Sequence, residues 1–411
     1  MIWLALIIPI IGAIIMLIWF RERMTLWEIF LSLAVSMIFI LIFKFTVEKI
    51  QVSDTEYWGS LGRRAEYYEP YTTWVSKTCS RQVSCGTDSK GNTKYCTEYY
   101  DCSYCDENGP RWVLTNDLGE TFSISEQKFR ELAIRWNSIP RFVDLDRNIR
   151  YHFGCGQDGD KYVIDWDGRP ITSEPTSESH LYENRIQAAH TAFDFPDVNE
   201  SDIKEYGLFE YPDIKGYQQT SLLGADSIQW MASPERDTLS KMINYLNGEM
   251  GPRKQLKIWV LLFQDKTELS AHMQEAYWKG GNKNEVVLCI GLSSRTKDLQ
   301  WAKAFSWTPN RTLLVELREN IMNTKKFSGN SIYEVLKRDL EGFQRKHFKE
   351  FNYVTVDPPT WATITTFIIT IIITVLICYW AVVNEFEADR FKPWKTVTNW
   401  YNPIKNPFRK R

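Results

Sequence analysis

The stretch Trp361–Trp380, WATITTFIITIIITVLICYW, carries no charged residue. At about 1.5 Å rise per residue it is long enough to cross a bilayer core of ~30 Å. It belongs to one of three apolar runs, at 2–20, about 29–47 and 361–383. Between and beyond them lie a short turn at 21–24, a polar region at about 50–360 and a basic tail at 384–411. This layout predicts a membrane-anchored α+β protein with three transmembrane helices (2–20, 29–47, 361–383) and one large extracytoplasmic domain.

The first run starts without a basic residue and ends at Trp19-Phe20-Arg21 without a small-residue cleavage site. It therefore reads as a retained anchor rather than a signal peptide. Trp3, Trp19, Trp27, Trp361 and Trp380 stand near the run ends, where indoles favour the interface. Pro9 and Gly12 predict a kink. Ser32 and Ser36 supply a small-residue face for helix contact, and Thr366, Thr370 and Thr374 form a packing stripe. Basic residues near spans mark the cytoplasmic side. Arg21 and Arg23 lie in the turn, and Lys392, Lys395, Arg409, Lys410 and Arg411 lie in the tail, so the expectation is N-terminus outside and C-terminus inside. Lys44 and Lys49 count against it, less heavily. The tail mixes its cations with Phe391, Trp394, Trp400, Tyr401 and Phe408, which suits contact with an anionic inner leaflet. A solvated tail fits that composition equally well.

The net charge is −2; residues 1–44 sum to +1 and 384–411 to +4, which leaves −7 for the rest. An acidic domain argues against nucleic acid as a partner. Six of the eight cysteines, Cys79, Cys85, Cys96, Cys102, Cys105 and Cys155, fall in one aliphatic-poor stretch. Disulfides, at about 2–4 kcal/mol each, would supply stability that burial cannot. Cys102-Ser-Tyr-Cys105 keeps zinc open as a second reading, but the other spacings are five residues and His152 is the only nearby imidazole. Cys289 and Cys378 sit in apolar runs and read as buried hydrophobes.

Trp112–Thr115 and Thr121–Ser123 flank a hairpin turn, Ser125 caps a helix over Glu126–Trp136, and Tyr162–Trp166 with Arg169–Thr172 predicts a second hairpin. The acids of Asp144-Leu-Asp146-Arg-Asn148 and Asp158-Gly-Asp160 fail the EF-hand pattern and read as turn formers. Pro175–Ser179 reads as a loop or linker. Further on, Leu256–Phe263 and Glu285–Leu292 predict buried strands, Trp301–Trp307 an alternating strand with Lys303 facing solvent, and Glu268–Lys279, Leu313–Met322 and Ile332–Phe348 helices. Ser331 and Glu334 form a capping-box pattern for the last. The chain thus divides into a span hairpin (1–48), a Cys-rich, β-rich half (49–235), a small α/β layer half (236–357), a third span (358–383) and the tail (384–411).

The order Ile258–Phe263, Glu268–Trp278, the Lys279–Asn284 loop, Val286–Leu292, Trp301–Trp307 and Ser331–His347 resembles the TPM domain, an α/β module often tethered by a nearby transmembrane helix. The resemblance covers about 100 residues. Trp307-Thr308-Pro309-Asn310 replaces that family's glycine-rich stretch, and Glu285 stands where a small glycine is usual. Some members act as phosphatases or bind metal through acidic residues, and no position here matches theirs. Gly-x-Ser-x-Gly, P-loop and His-Glu-x-x-His motifs are absent, and the histidines (152, 180, 190, 272, 347) make no ligand set. The favoured expectation is an envelope interaction or structural module in contact with the bilayer and a protein partner, with no cofactor or metal. A TPM-like ectoenzyme comes second. A channel or transporter comes third, because the spans hold no central ionisable residue and it would need homo-oligomers around the threonine stripe.

Overall fold

The computed structural model describes residues 2–19, 26–87, 91–145, 159–189, 195–214 and 216–384. The chain opens with α1 (Ile7–Trp19) and α2 (Leu26–Val52). Eight strands follow: β1 (Ser53–Trp58), β2 (Gly62–Tyr68), β3 (Tyr71–Val75), β4 (Thr78–Thr87), β5 (Thr93–Asp101), β6 (Tyr104–Asn108), β7 (Arg111–Asn116) and β8 (Thr121–Ile124). Next come α3 (Glu126–Arg135), β9 (Arg141–Val143), β10 (Lys161–Asp165), β11 (Glu178–Glu183), α4 (Arg185–Ala188) and α5 (Glu200–Tyr206). The remainder is β12 (Leu222–Leu223), α6 (Ser233–Lys254), β13 (Lys257–Gln264), α7 (Leu269–Tyr277), β14 (Glu285–Leu292), β15 (Leu299–Ser306), α8 (Arg311–Asn323), α9 (Gly329–Asp339) and α10 (Thr360–Asn384). The chain separates into two compact units, one of residues 1–54, 182–194 and 348–411 and one of residues 55–181 and 195–347.

In the first unit α1, α2 and α10 pack against one another. Of the three expected spans, one forms, among the described residues, a helix long and apolar enough to cross a membrane, Thr360–Trp380, of 21 residues. The first run falls short because Pro9, third in α1, lacks the N–H that would bond residue 5; the chain before it is a 3₁₀ turn, Ile2–Leu6, and the apolar helical stretch is Trp3–Ile18. The second run lies within α2, whose side chains at 26–29, 31 and 32 are outside the described residues. Small and hydroxylic side chains turn inward: Ala5, Ala13, Ser36, Ala362, Thr366, Thr370 and Thr374 are buried. A β-carbon on Gly12 would stand 2.6 Å from Thr374 Cγ2. Ile7, Ile11, Ile14, Ile38, Ile42, Ile368, Ile371 and Ile372 point outward. The threonine stripe is therefore helix packing, and Thr366 donates to the Ala362 carbonyl at 2.7 Å. Polar ties fasten the ends of this unit: Asn184 Nδ2 donates to Asp54 (2.7 Å), and Arg185 donates to Glu48 (3.0 Å) and to the Val354 carbonyl (3.2 Å).

The second unit holds two main sheets. An antiparallel sheet of order β8-β7-β2-β10-β9 packs one face against α3 through Ala65, Leu114, Phe129, Leu132, Trp136 and Ile164. The expected β7–β8 hairpin and the Ser125 cap, which accepts from Lys128 N, are present. The second expected hairpin is not. Pro170–Thr172 is a 3₁₀ turn, because Pro170 cannot donate to a ladder and Thr172 Oγ1 bonds back to Asp167 and Arg169.

The other sheet, β12-β13-β14-β15, is parallel across its first three strands and antiparallel at β15. Alternate residues of β13 and β14 feed two cores. Ile258, Val260, Leu262, Val286, Leu288 and Ile290 meet α6, α8 and α9, while Trp259, Leu261, Phe263, Val287 and Cys289 meet α7 and Phe209. Burial on both faces is why these runs read as continuously apolar. Three details depart from expectation. Lys303 does not face open solvent: its ammonium donates to Glu275 (2.5 Å) and lies 2.7 Å from His272 Nδ1. The last helix begins a turn early, since Ile332 N bonds the Ser328 carbonyl, so Ser331 is inside it rather than at its cap. It also ends at Asp339 and is followed by the 3₁₀ turn Leu340–Gly342, beyond which Phe343 is buried in the core.

Helix α6 has no counterpart among the sequence expectations, because Asn247, Gly248, Gly251 and Pro252 look like breakers. Leu239, Ile243, Leu246 and Met250 nonetheless form its buried stripe. Its glycines admit the Gly59–Leu61 segment: a β-carbon at Gly251 would overlap the Gly59 carbonyl, and one at Gly248 would lie 3.0 Å from Ser60 O. In an exposed helix Gly→Ala stabilises by about 1 kcal/mol. Gly251→Ala is expected to reverse that sign, lowering the denaturation midpoint, and an urea titration that shows stabilisation would refute the close-crossing account.

Candidate functional site

Residues 71–87 and 91–108 form one long two-stranded arm. Strand β3 pairs with β6, and beyond them β4 pairs with β5, the two sections joined where Cys102 N bonds the Lys77 carbonyl at 2.9 Å. No residue of β5 is buried, and β4 is nearly as bare. A two-stranded ribbon of this kind is marginal alone in water. Disulfides hold it: Cys79–Cys102 and Cys85–Cys96, with Cα atoms 5.8 and 5.7 Å apart. Cys105 is also disulfide-bonded, and Cys155 lies outside the described residues. Cys102 and Cys105 are thus both oxidised, so the zinc alternative falls. Among the described residues no group of three His, Cys, Asp or Glu side chains is placed to hold a metal. Cys289 is free and buried, and Cys378 is free.

The register separates the arm's faces. One face carries the disulfides, the Arg81–Glu98 ion pair at 2.8 Å and Tyr100 beneath the Arg81 guanidinium at 5.5 Å. The opposite face sets Tyr95 against Ser84, Thr97 against Gln82 and Tyr99 against Ser80. Tyr95 and Tyr99 are 64% and 73% exposed. Large rigid phenols among small hydroxyl and amide groups are the composition of a recognition surface, since tyrosine offers contact area at low entropic cost. Neither tyrosine was singled out from the sequence. The available signal was the alternation Thr93-Lys-Tyr-Cys-Thr-Glu-Tyr99, which puts both cysteine and tyrosine at two-residue multiples on opposite faces.

Two buried ionic networks were also invisible in sequence. Asn116 accepts from Leu118 N and Glu120 N in the β7–β8 turn, and its Nδ2 donates to Glu178 Oε1 at 2.5 Å and Thr176 Oγ1 at 3.2 Å. Burial, with the Glu120 carboxyl beside it, pushes Glu178 up to about 8 against the pull of Asn116. His180 stacks on Trp58 at 4.0 Å, 4.0 Å from Glu178 Oε2, and burial lowers its pKa. Pro175–Ser179 is therefore no linker: Thr176, Ser177 and Glu178 are buried. Across the α/β sheet, Lys257 and Glu285 are register partners. Lys257 Nζ donates to Gln219 Oε1 and the Thr220 carbonyl (2.6 Å each) and lies 4.5 Å above the Trp259 ring. Burial draws it down to about 7, opposed by the Glu285 carboxylate. Glu285 accepts from Tyr211 Oη (2.5 Å), Trp259 Nε1 (2.9 Å) and Asn282 N (2.7 Å). Glu178, Lys257 and Glu285 are buried, which suits a structural part more than contact with a substrate.

Of the expected interface anchors, Trp3, Trp361 and Trp380 are exposed, with Lys44 Nζ 5.0 Å above the Trp3 ring. Trp19 and Trp27 lie in helices but their side chains are outside the described set, as are Lys392, Lys395, Arg409, Lys410 and Arg411. Asp160 acts as a turn former, accepting from Leu145 N at 3.1 Å, whereas Asp146, Asn148 and Asp158 are not described. Comparison with known protein families, with curated proteins and with solved structures returns no match.

The two networks give opposite pH dependences. Folded Glu178 keeps its proton to about 8 but unfolded loses it near 4.5, so its contribution is full below 4.5 and is lost as pH rises to 8. Unfolded Lys257 stays protonated to 10.5 but folded gives its proton up near 7, so stability rises with pH between those values. Denaturant titrations across pH should show the falling limb flattened in Glu178→Gln and the rising limb flattened in Lys257→Met, the latter from a lower starting stability because Gln219 loses its donor. Unchanged slopes in both variants would refute these assignments.

Proposed function

We propose that this chain is an integral membrane protein that holds a disulfide-stapled domain outside the cytoplasm and uses the β3–β6 arm as the contact element of an envelope interaction. The observation that carries the reading is the arm itself: a ribbon with no core of its own, braced by disulfides and bearing an exposed tyrosine face. Disulfides persist in oxidising compartments, which favours the extracytoplasmic side for this domain, and the apolar helix Thr360–Trp380 supplies an anchor. The further step, that α1 and α2 join α10 as a three-span bundle with the N-terminus outside and the C-terminus inside, is supported by the outward isoleucines, the inward threonines and the basic residues of the 21–24 turn and the tail. The alternative, a TPM-like ectoenzyme, rests on the element order β13, α7, β14, β15, α8, α9 alone.

A photoreactive phenylalanine analogue at Tyr99, in the full chain in native membranes, is expected to give a discrete adduct, whereas the same group at Ile134, 83% exposed on α3, gives none. Equal labelling from both positions, or none from Tyr99, would remove the arm from this role. A reporter after Arg411 is expected in the cytoplasm; an exported one would invert the orientation.

A further inference from the structure

We propose that the outer edge of β5 pairs with the same edge of a second copy of this chain, antiparallel and centred on Thr97. The inference rests on the reading of the arm as a contact element and names its partner.

Strand β5 has one strand partner among the described residues, β4, so alternate residues along its nine direct N–H and C=O groups to an outer edge that no described strand pairs. Such an edge templates further pairing, and proteins usually blunt it with proline, bulges or charge. The two edges of this ribbon differ in that respect. Strand β4 is bulged between Ser84 and Thr87, where Gly86 takes a φ of 129°. Strand β5 contains neither bulge nor proline, and Lys94 is its only cation. One edge is protected and the other is regular and open.

The side chains of β5 are self-complementary. A two-fold axis perpendicular to the ribbon preserves its faces, so it must pass through a residue, and the midpoint of Thr93–Asp101 is Thr97. About that centre Tyr95 lies opposite the second copy's Tyr99, twice, on the exposed tyrosine face. On the disulfide face Lys94 lies opposite the second copy's Tyr100 and diagonal to its Glu98, joining a cation to a ring and to an opposite charge. Aromatic and oppositely charged cross-strand pairs are favourable, whereas a register centred on Glu98 would set two carboxylates face to face. The Thr97 register alone uses all nine residues. Anchoring both copies in one membrane raises their effective concentration for so narrow a contact.

The test uses the full chain in membranes. Thr97→Cys with a short bis-maleimide is expected to yield a species of doubled mass, while Gln82→Cys, opposite Thr97 in the ladder and also exposed, stays mainly monomeric. Because a new thiol can reshuffle the native disulfides, a photoreactive residue at Tyr95 gives an independent readout, and its adduct should map to the Tyr99 peptide of another copy. Equal doubling by Gln82→Cys, or a Tyr95 adduct with a different protein, overturns the self-pairing; the second of these leaves the contact-element reading intact. No adduct from either Tyr95 or Tyr99 overturns both.

Discussion

The ammonium of Lys257 sits with no exposed surface, and much of the second unit is arranged around satisfying it. An unpaired cation in such a place would cost several kcal/mol. Gln219 accepts from it and passes the bond on, its own Nε2 donating to the Thr176 carbonyl at 2.6 Å. Thr176 in turn donates its N–H to Ser60 O at 2.7 Å and takes the Asn116 amide on its hydroxyl. The chain of bonds therefore runs from the α/β sheet to the end of the five-stranded sheet. Breaking any link leaves a buried partner stranded, so the two sheets are fixed to each other as one cooperative body rather than two beads.

The first unit reverses the usual distribution of polarity. Threonine, serine, glycine and alanine are packed inside beside Ile40, and most of the other isoleucines of the helices face out. In water this would expose a continuous apolar surface of the kind that drives association. Surrounded by lipid it costs nothing, and small interior residues let helix backbones come close. The same residues that would make the unit insoluble alone are those that suit it to a bilayer.

Much of the α/β half was legible because β13 and β14 are buried on both faces, and unbroken apolar runs of eight residues leave little choice. The β7–β8 turn and the Ser125 cap were legible because their signals are local. What escaped was whatever depends on distant partners. Lys257 and Glu285 are charged residues at the starts of apolar strands, and their burial depends on distant partners, Gln219 and Thr220 for the one and Tyr211 and Trp259 for the other. Helix α6 was hidden by glycines whose purpose is to admit another segment of chain. Pro175–Ser179 has the composition of a loop, yet its centre, Thr176–Glu178, is buried, with Ser60, Asn116 and Gln219 supplying hydrogen bonds. Of the candidate contact site, the cysteines were visible and the tyrosine face was not, since a face exists only once the register is known.

The nested disulfides give the arm a covalent property separate from its fold. Cys79–Cys102 encloses Cys85–Cys96, so the chain between them is a closed loop inside a closed loop. A single backbone cut anywhere between Cys85 and Cys96 would leave both new ends tied to the stem, with nothing released and most of the β4–β5 ladder still paired. In a compartment shared with proteases, the arm can be nicked between these cysteines without being lost.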